Sequence, residues 1–421
     1  MWYACLLPMT KPLLISLSPN TQSRDTYLAW RVLFSRSTWI NPSFIQAAEE
    51  KLTTRLNQPV IATTSGRQAL YHLLQAHNIG LGDEVIIQAF TCIAVPASII
   101  WAGAKPVYAD INPDNYNLDI ARVEQRVTPK TKAIIVQHAF GIPGPLAQLK
   151  ALCAEKNLIL IEDCALSLGA TFNNQPIGTF GHSAIFSFGR DKTISSIFGG
   201  AATSQDPGIM EKLRSRQNSL SYPPANWVRQ QLLHPIFTRL IVPTYFFLKY
   251  GQALLVMAQK TGLLSKAYAP GERAGQKPDH LNWRYSPALA QLLLQQLDQL
   301  DNFTQHRQVI ARQYINKFKN NPAVKTPLVP AHANPNWLRF PIQVKDPKKL
   351  YAAAKRHHII LGDWYNSPLL PADCQLDKFY YQPGSCPIAE SVAKKIINLP
   401  THIHASLSDA SRLADLINQN T

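Results

Sequence analysis

Apolar and polar positions alternate along this chain in two recurring patterns. Residues 85–88, 133–137 and 158–161 are short continuous apolar runs, and the stretches 93–102 and 145–156 between them read as helices. A strand with one wet face alternates apolar and polar residues, whereas a continuous run belongs to a strand covered on both faces. The βα alternation therefore predicts an α/β fold around a mostly parallel sheet. Residues 62–70 begin as a polar turn and continue as an amphipathic helix with Ala69, Leu70, Leu73 and Leu74 on one face. Residues 291–305 carry Leu292, Leu293, Leu297 and Leu300 at helical spacing, which predicts a helix packed on the core.

The segment 226–268 breaks this rhythm. It holds Leu232, Leu233, Ile236 and Phe237, then Leu240-Ile-Val-Pro-Thr-Tyr-Phe-Phe-Leu248, then Ala253-Leu-Leu-Val-Met-Ala258. Its charges are Arg229, Arg239, Lys249, Lys260 and Lys266, with no Asp or Glu. A membrane-spanning helix needs about twenty uninterrupted apolar residues. Pro243 and Lys249 interrupt the longest run, so a clean crossing is not expected. Two readings stay open. One is a helical pair packed into the core or a dimer. The other is a segment in a membrane interface, with Trp227, Tyr245, Tyr250 and Tyr268 at headgroup depth and the basic side chains on anionic lipid.

Candidate chemistry sits at strand ends. The run Leu158-Ile-Leu-Ile-Glu-Asp163 ends in an acid, and Ile185-Phe-Ser-Phe-Gly-Arg-Asp-Lys192 enters a turn that ends in a lysine. Alone, such a lysine is ordinarily a solvated charge and such an aspartate a turn former or helix cap. Together they are the two groups a pyridoxal phosphate site needs. The amine forms a Schiff base with the cofactor aldehyde, and the carboxylate keeps the pyridine nitrogen protonated. The turn Ala62-Thr-Thr-Ser-Gly-Arg-Gln-Ala-Leu70 adds a phosphate cradle. Free amides at a helix start bind anions, Gly66 admits close approach of the backbone, and Arg67 offers a charged fork.

With these elements in this order, the sequence resembles the DegT/DnrJ/StrS family of pyridoxal-phosphate aminotransferases, which make amino sugars on nucleotide carriers. Gly80-Leu-Gly-Asp-Glu-Val-Ile-Ile87, Gly103-Ala-Lys-Pro-Val-Tyr-Ala-Asp110, Thr128-Pro-Lys-Thr-Lys-Ala-Ile-Ile135 and His138-Ala-Phe-Gly141 match its strands and turns in register. Asn282-Trp-Arg-Tyr285, Pro387-Ile-Ala-Glu390 and Leu399-Pro400 extend the match toward the C-terminus. The resemblance implies the fold type I transferase fold. A large cofactor-binding α/β domain would span 1–275, with 226–268 inserted, and a smaller α+β domain 276–421. It implies Lys192 as the Schiff-base lysine and acid/base, and Asp163 as partner of the pyridinium. Ser187 with the Gly66–Arg67 turn would hold the phosphate. Asn282 would reach the phosphate of the neighbouring subunit, making a homodimer with shared active sites. The reaction implied is amino transfer, from a donor such as glutamate, to a keto sugar on a nucleotide or lipid carrier.

Departures from the pattern cluster near these groups. Leu166 stands where the family has a glutamine, and Leu168 and Leu370 where it has histidines. Cys92 replaces the aromatic that stacks on the cofactor. Phe90 lies on the same side of an extended strand and is expected to substitute, because strand side chains alternate. These apolar replacements motivate two alternatives: a membrane-surface accessory or scaffold protein with a degenerate site, and a cofactor-dependent sugar dehydratase. Against the second, family dehydratases lack the lysine that is present here as Lys192.

Composition adds bounds. The 421 residues suggest two or three domains, and a 46% hydrophobic fraction supplies a large core. The six cysteines (Cys5, Cys92, Cys153, Cys164, Cys374, Cys386) show no paired spacing. No zinc site or disulfide framework is expected, and a reducing cytoplasm is the natural setting. Residues 1–15 lack the basic start and cleavage site of a signal peptide. The formal charge of +16 favours anionic partners and tilts the inserted segment toward a membrane's inner face. The basic residues are scattered and no nucleic-acid module is present, so nucleic acid is not expected. The twelve histidines form no metal-ligand spacing.

Overall fold

The computed structural model describes residues 12–421, so the reading of residues 1–11, Cys5 included, lies outside the described residues. Helices α1 (Ser23–Phe34) and α2 (Ser43–Leu56) precede strand β1 (Val60–Thr63), which leads through Ser65 into α3 (Gly66–Ala76). There follow β2 (Glu84–Gln88), α4 (Ala94–Trp101), β3 (Lys105–Ala109), β4 (Thr131–Gln137), α5 (Leu146–Lys156), β5 (Ile159–Asp163), β6 (Ser183–Ser187) and β7 (Gly200–Ser204). These seven strands form one sheet in the order β1-β7-β6-β5-β4-β2-β3. Strand β7 is antiparallel to both neighbours, and the other pairings are parallel.

The continuous apolar runs are explained by this sheet. Successive strand side chains point to opposite faces. Ile86, Ile134 and Leu160 enter one core with Leu28 and Val32 of α1, Leu52 of α2 and Leu149 of α5. Val85, Ile87, Ile135 and Ile161 enter a second core with Leu70 and Leu73 of α3 and Ile99 of α4. Neither face meets water, so neither can be polar.

The segment 226–268 divides into halves with different fates. Helix α6 (Pro207–Asn218) is followed by α7 (Ala225–Ile241), which packs along α1 and places Val228, Leu232 and Ile236 in the first core. Helix α8 (Tyr250–Lys260) lies on α7 through a small cluster of Ile241, Ala258 and Leu264. The outer side leaves Leu240, Phe247, Leu248, Tyr250, Val256 and Met257 exposed. Two aromatics expected at headgroup depth face inward instead. Trp227 packs on Phe198 and Trp283, with ring centroids 5.2 and 5.3 Å away, and Tyr268 lines a cleft described below. Among the described residues, no helix is long and apolar enough to cross a membrane.

The helix expected over 291–305 is two helices, α9 (Pro287–Leu297) and α10 (Leu300–Phe318). The predicted leucines are all in the first core apart from this break. Helix α10 starts in that core with Leu300 and Phe303. Its second half carries Ile310, Tyr314 and Phe318 into a separate cluster. There the antiparallel pair β8 (Phe340–Gln343) and β9 (Ile396–Leu399) packs with α11 (Pro347–Arg356) and α12 (Leu407–Asn420).

Leu232 is wholly buried and Met257 is 57% exposed, so they test the two halves of the insert. Leu232→Ala is expected to cost about 2–5 kcal/mol, and Met257→Ala to stay within about 0.5 kcal/mol. Urea denaturation of both variants decides; equal losses would contradict this packing.

Candidate active site

Strands β5 and β6 are parallel neighbours, with Asp163 in register with Ile185. Asp163 is the last residue of β5, Ser187 the last of β6, and Lys192 lies in the turn that follows. Carboxyl ends of parallel strands are where open α/β sheets form their binding crevices. Here a cleft of about 580 Å³ is lined by Asp163, Ser187 and Lys192 together with Ser65, Gly66 and Arg67. Ser65 caps α3, its hydroxyl accepting the Gln68 amide at 3.2 Å. The amides of Gly66 and Arg67, in the first turn of that helix, have no intrahelical acceptor. A Cβ on Gly66 would come within 3.0 Å of the Ser187 Cβ, and one on Gly200 within 2.4 Å of the Ser65 carbonyl carbon. The turn is thus a bare backbone cradle that side chains would fill.

Electrostatics bind the acid and the amine together. Asp163 is buried and its Oδ1 accepts the Ala165 amide at 3.0 Å. Burial pushes its carboxyl above the ordinary range, while that amide, Lys192 and His138 pull it back. Burial lowers the Lys192 amine; Cys92 and Asp163 oppose the fall, and Arg67 and Arg339 add to it. Trp364 stands between two of these cations. Its ring centroid is 3.5 Å from the Arg339 guanidinium and 5.4 Å from Lys192 Nζ.

The surrounding backbone is tied down. Asn20 donates to the carbonyls of Lys192 and Thr193 at 2.7 and 3.0 Å. Buried Arg307 donates to the Thr193 carbonyl at 2.9 Å and to Asn20 at 2.8 Å. Beside Asp163, Glu162 accepts the amides of Gly178, Phe180 and Gly181 at 2.9, 2.7 and 2.7 Å. His138 Nδ1 accepts the Gly144 amide at 3.0 Å, which leaves its Nε2 as donor to Glu162 at 3.2 Å. His138, Glu162 and Cys164 bring ligand-type atoms close together, but the glutamate oxygens are occupied by these donors.

Comparison with known proteins gives this arrangement a context. The model of the DegT/DnrJ/EryC1/StrS aminotransferase family matches residues 25–230 and 269–418. The chain belongs to this family. A UDP-N-acetyl-3-dehydro-alpha-D-glucosamine 3-aminotransferase of Acidithiobacillus ferrooxidans is 39% identical over 163 residues, 38% of this chain and 44% of the relative. A GDP-perosamine synthase of Escherichia coli O157:H7 is 36% identical over 180 residues, 42% of this chain and 49% of the relative. These two matches span less than half of the relatives' own length. A dTDP-3-amino-3,6-dideoxy-alpha-D-galactopyranose transaminase of Aneurinibacillus thermoaerophilus is 28% identical over 364 residues, 85% of each chain. Among solved structures, a DegT DnrJ EryC1 StrS aminotransferase from Brucella abortus superposes with a TM-score of 0.71 at 25% identity, covering 94% of this chain and 95% of that one. Helicobacter pylori PseC shares the fold, with a TM-score of 0.76 at 21% identity over 97% of this chain and 99% of that one.

Within this DegT-family fold, Gly66, Arg67, Asp163, Ser187 and Lys192 come together in one cleft. Phe90 does not line it. Its φ of +69° takes it out of the extended conformation on which strand alternation rests, and its ring is buried against Tyr116, Phe140 and Tyr365. Asn282 is exposed and lies outside the lining of its own chain's cleft. Of the departures, Cys92, Leu166 and Leu370 line the cleft, whereas Leu168 turns into the first core. Arg67 is not a free fork, because its Nε pairs with Glu272 Oε1 at 3.1 Å. Sequence reasoning missed Gln137, Trp364 and Tyr365 as lining residues, and gave Tyr268 another role. Gln137 ends β4 one strand away from Asp163, a position the strand pattern could have flagged.

A lowered amine pKa means that the neutral, nucleophilic form prevails from a lower pH. Labelling of Lys192 by reductive methylation, followed by peptide mapping, is expected to show a midpoint below the ordinary lysine value of 10.5. A midpoint at or above that value would show that burial does not control this amine.

Proposed function

We propose that this protein is a pyridoxal-phosphate-dependent aminotransferase that moves an amino group, with glutamate as donor, onto a keto sugar carried by a nucleotide or a lipid. One observation carries the reading: an amine and a carboxylate delivered by adjacent strand ends open into the same cleft as an unblocked helix start. That donor set fits the cofactor. The Gly66 and Arg67 amides and the Ser187 hydroxyl would hold its phosphate, with the positive end of the α3 dipole behind them. Asp163 would pair with its ring nitrogen, and Lys192 would hold its aldehyde carbon. When bound, pyridoxal phosphate supplies an electron sink for negative charge at the substrate carbon.

The chain's own groups do the remaining work. The Lys192 amine, whose pKa burial lowers, would take a proton at Nζ from the substrate carbon and give it up again on the cofactor's side. The buried Asp163 carboxylate keeps a positive charge in place opposite it. Trp364 and Tyr365 wall the cleft. Amino-sugar relatives support a keto-sugar acceptor. We take the working unit to be a homodimer in which Asn282 serves the partner's cleft; its exposed position outside its own cleft supports this.

Protein reconstituted with the cofactor is expected to show the visible absorbance band of a lysine-bound aldehyde, which Lys192→Ala removes and Asp163→Asn shifts. Adding glutamate is expected to bleach that band. A wild-type protein that takes up no cofactor would refute the assignment, and a band indifferent to amino donors would favour a scaffold.

We further read the outer side of α8 and the turn before it as a surface for anionic lipid. Leu240, Phe247, Leu248, Tyr250, Val256 and Met257 are exposed there among Arg239, Lys249 and Lys260. No acidic residue occurs between Glu211 and Glu272. Apolar side chains ringed by cations suit the headgroup region. Wild type is expected to float with phosphatidylserine liposomes at low salt, and Leu248→Glu with Met257→Glu to abolish this. Equal partition onto neutral liposomes, or a dimer that dissociates in the double variant without any flotation in wild type, would reassign the surface.

A further inference from the structure

The family match stops at residue 230 and resumes at 269, so residues 231–268 lie outside it. Most of them pack on α1 or face outward, but the last one returns to the active cleft. Tyr268 lines that cleft beside Cys92, and its hydroxyl lies 3.5 Å from the Cys92 Sγ. Two guanidinium groups lie near its ring, Arg67 at 5.5 Å and Arg273 at 5.8 Å from the centroid. Glu272 fixes the arrangement from behind by pairing with Arg67 at 3.1 Å and accepting the Ala269 amide. The ring is therefore aimed by contacts on the phosphate turn itself.

The opposite wall needs such a ring. Cys92 and Ala165 are small, and Leu166 is not aromatic, so a flat heterocycle between the cradle and Asp163 meets little aromatic surface from them. Phe90 has turned into the core. Trp364 already carries the Arg339 guanidinium 3.5 Å from its ring centroid, with Lys192 Nζ at 5.4 Å. We propose that Tyr268, the last residue of this unmatched segment, is the aromatic side chain that packs on the bound cofactor and fills the space left by Cys92. This deepens the reading of the cleft as a pyridoxal phosphate site and rests on it. It also gives the unmatched segment an active-site role, distinct from its packing on α1.

The experiment measures the cofactor dissociation constant and the absorbance maximum of loaded protein, neither of which requires turnover. Tyr268→Phe is expected to match wild type in both. Tyr268→Leu is expected to bind roughly three- to tenfold more weakly, the scale of an aromatic contact, with a displaced maximum. Adding Cys92→Phe to Tyr268→Leu is expected to restore both readouts, which a merely structural role of Tyr268 would not allow. Tyr268→Met is a second non-aromatic variant should Tyr268→Leu fail to fold. The inference is overturned if the non-aromatic variants keep wild-type affinity and spectrum, or if Tyr268→Phe is as weak as they are. A wild type that binds no cofactor overturns the functional reading as well, and is recognised because no variant is then needed.

Discussion

Strands β5 and β6 lie side by side, run the same way and stop at the same edge, and the chemistry of this protein depends on that shared ending. A carboxylate and an amine are each costly to bury alone. Delivered together they shift toward one another's charge, so Asp163 is held back from neutralising and Lys192 from losing its proton altogether. The parallel register brings them together without a flexible segment in between. The Asn20–Arg307 clamp on the Lys192–Thr193 backbone then removes slack from the only irregular stretch involved. Both clamp residues lie far from it in sequence, so long-range contacts keep the site rigid.

The rest of the cleft is assembled from elements that meet only through the tertiary fold. Helix α3 brings its start to the cradle because Gly66 and Gly200 leave room for backbone to touch backbone. From the C-terminal part, Leu369 and Leu370 pair with Thr91 and Cys92 in parallel, and the Phe90 and Thr91 amides both donate to the Pro368 carbonyl. This contact pins the wall that carries Trp364 and Tyr365 against the sheet. In this cleft the Ala165 amide holds the Asp163 carboxylate and Asn20 holds the Lys192 backbone, the preorganisation on which electrostatic catalysis rests.

Residues 226–268 show how one stretch can serve three environments. Its first helix is a core helix, since Val228, Leu232 and Ile236 replace solvent for α1. Its second helix leaves apolar side chains among exposed cations and no acids. Its end returns a tyrosine to the cleft. Hydrophobicity was uniform enough along these residues that packing, surface and site looked alike.

What the sequence determined by itself was set by local physics. Continuous apolar runs meant strands covered on both faces. An acid and a lysine closing two of them, with a glycine-bearing turn opening a helix, pointed to Asp163, Lys192, Gly66 and Arg67 as one site, and the family resemblance added Ser187. Tertiary structure alone decided the rest. Phe90 was assigned by strand alternation, and its left-handed φ broke that rule. The break between Leu297 and Leu300 left the leucine spacing intact and so had no signature in it. Tyr268 and Trp364 reach the cleft through loops whose course is set by packing against distant elements. Periodicity reports which side of an element is buried, but only the folded chain decides which elements meet.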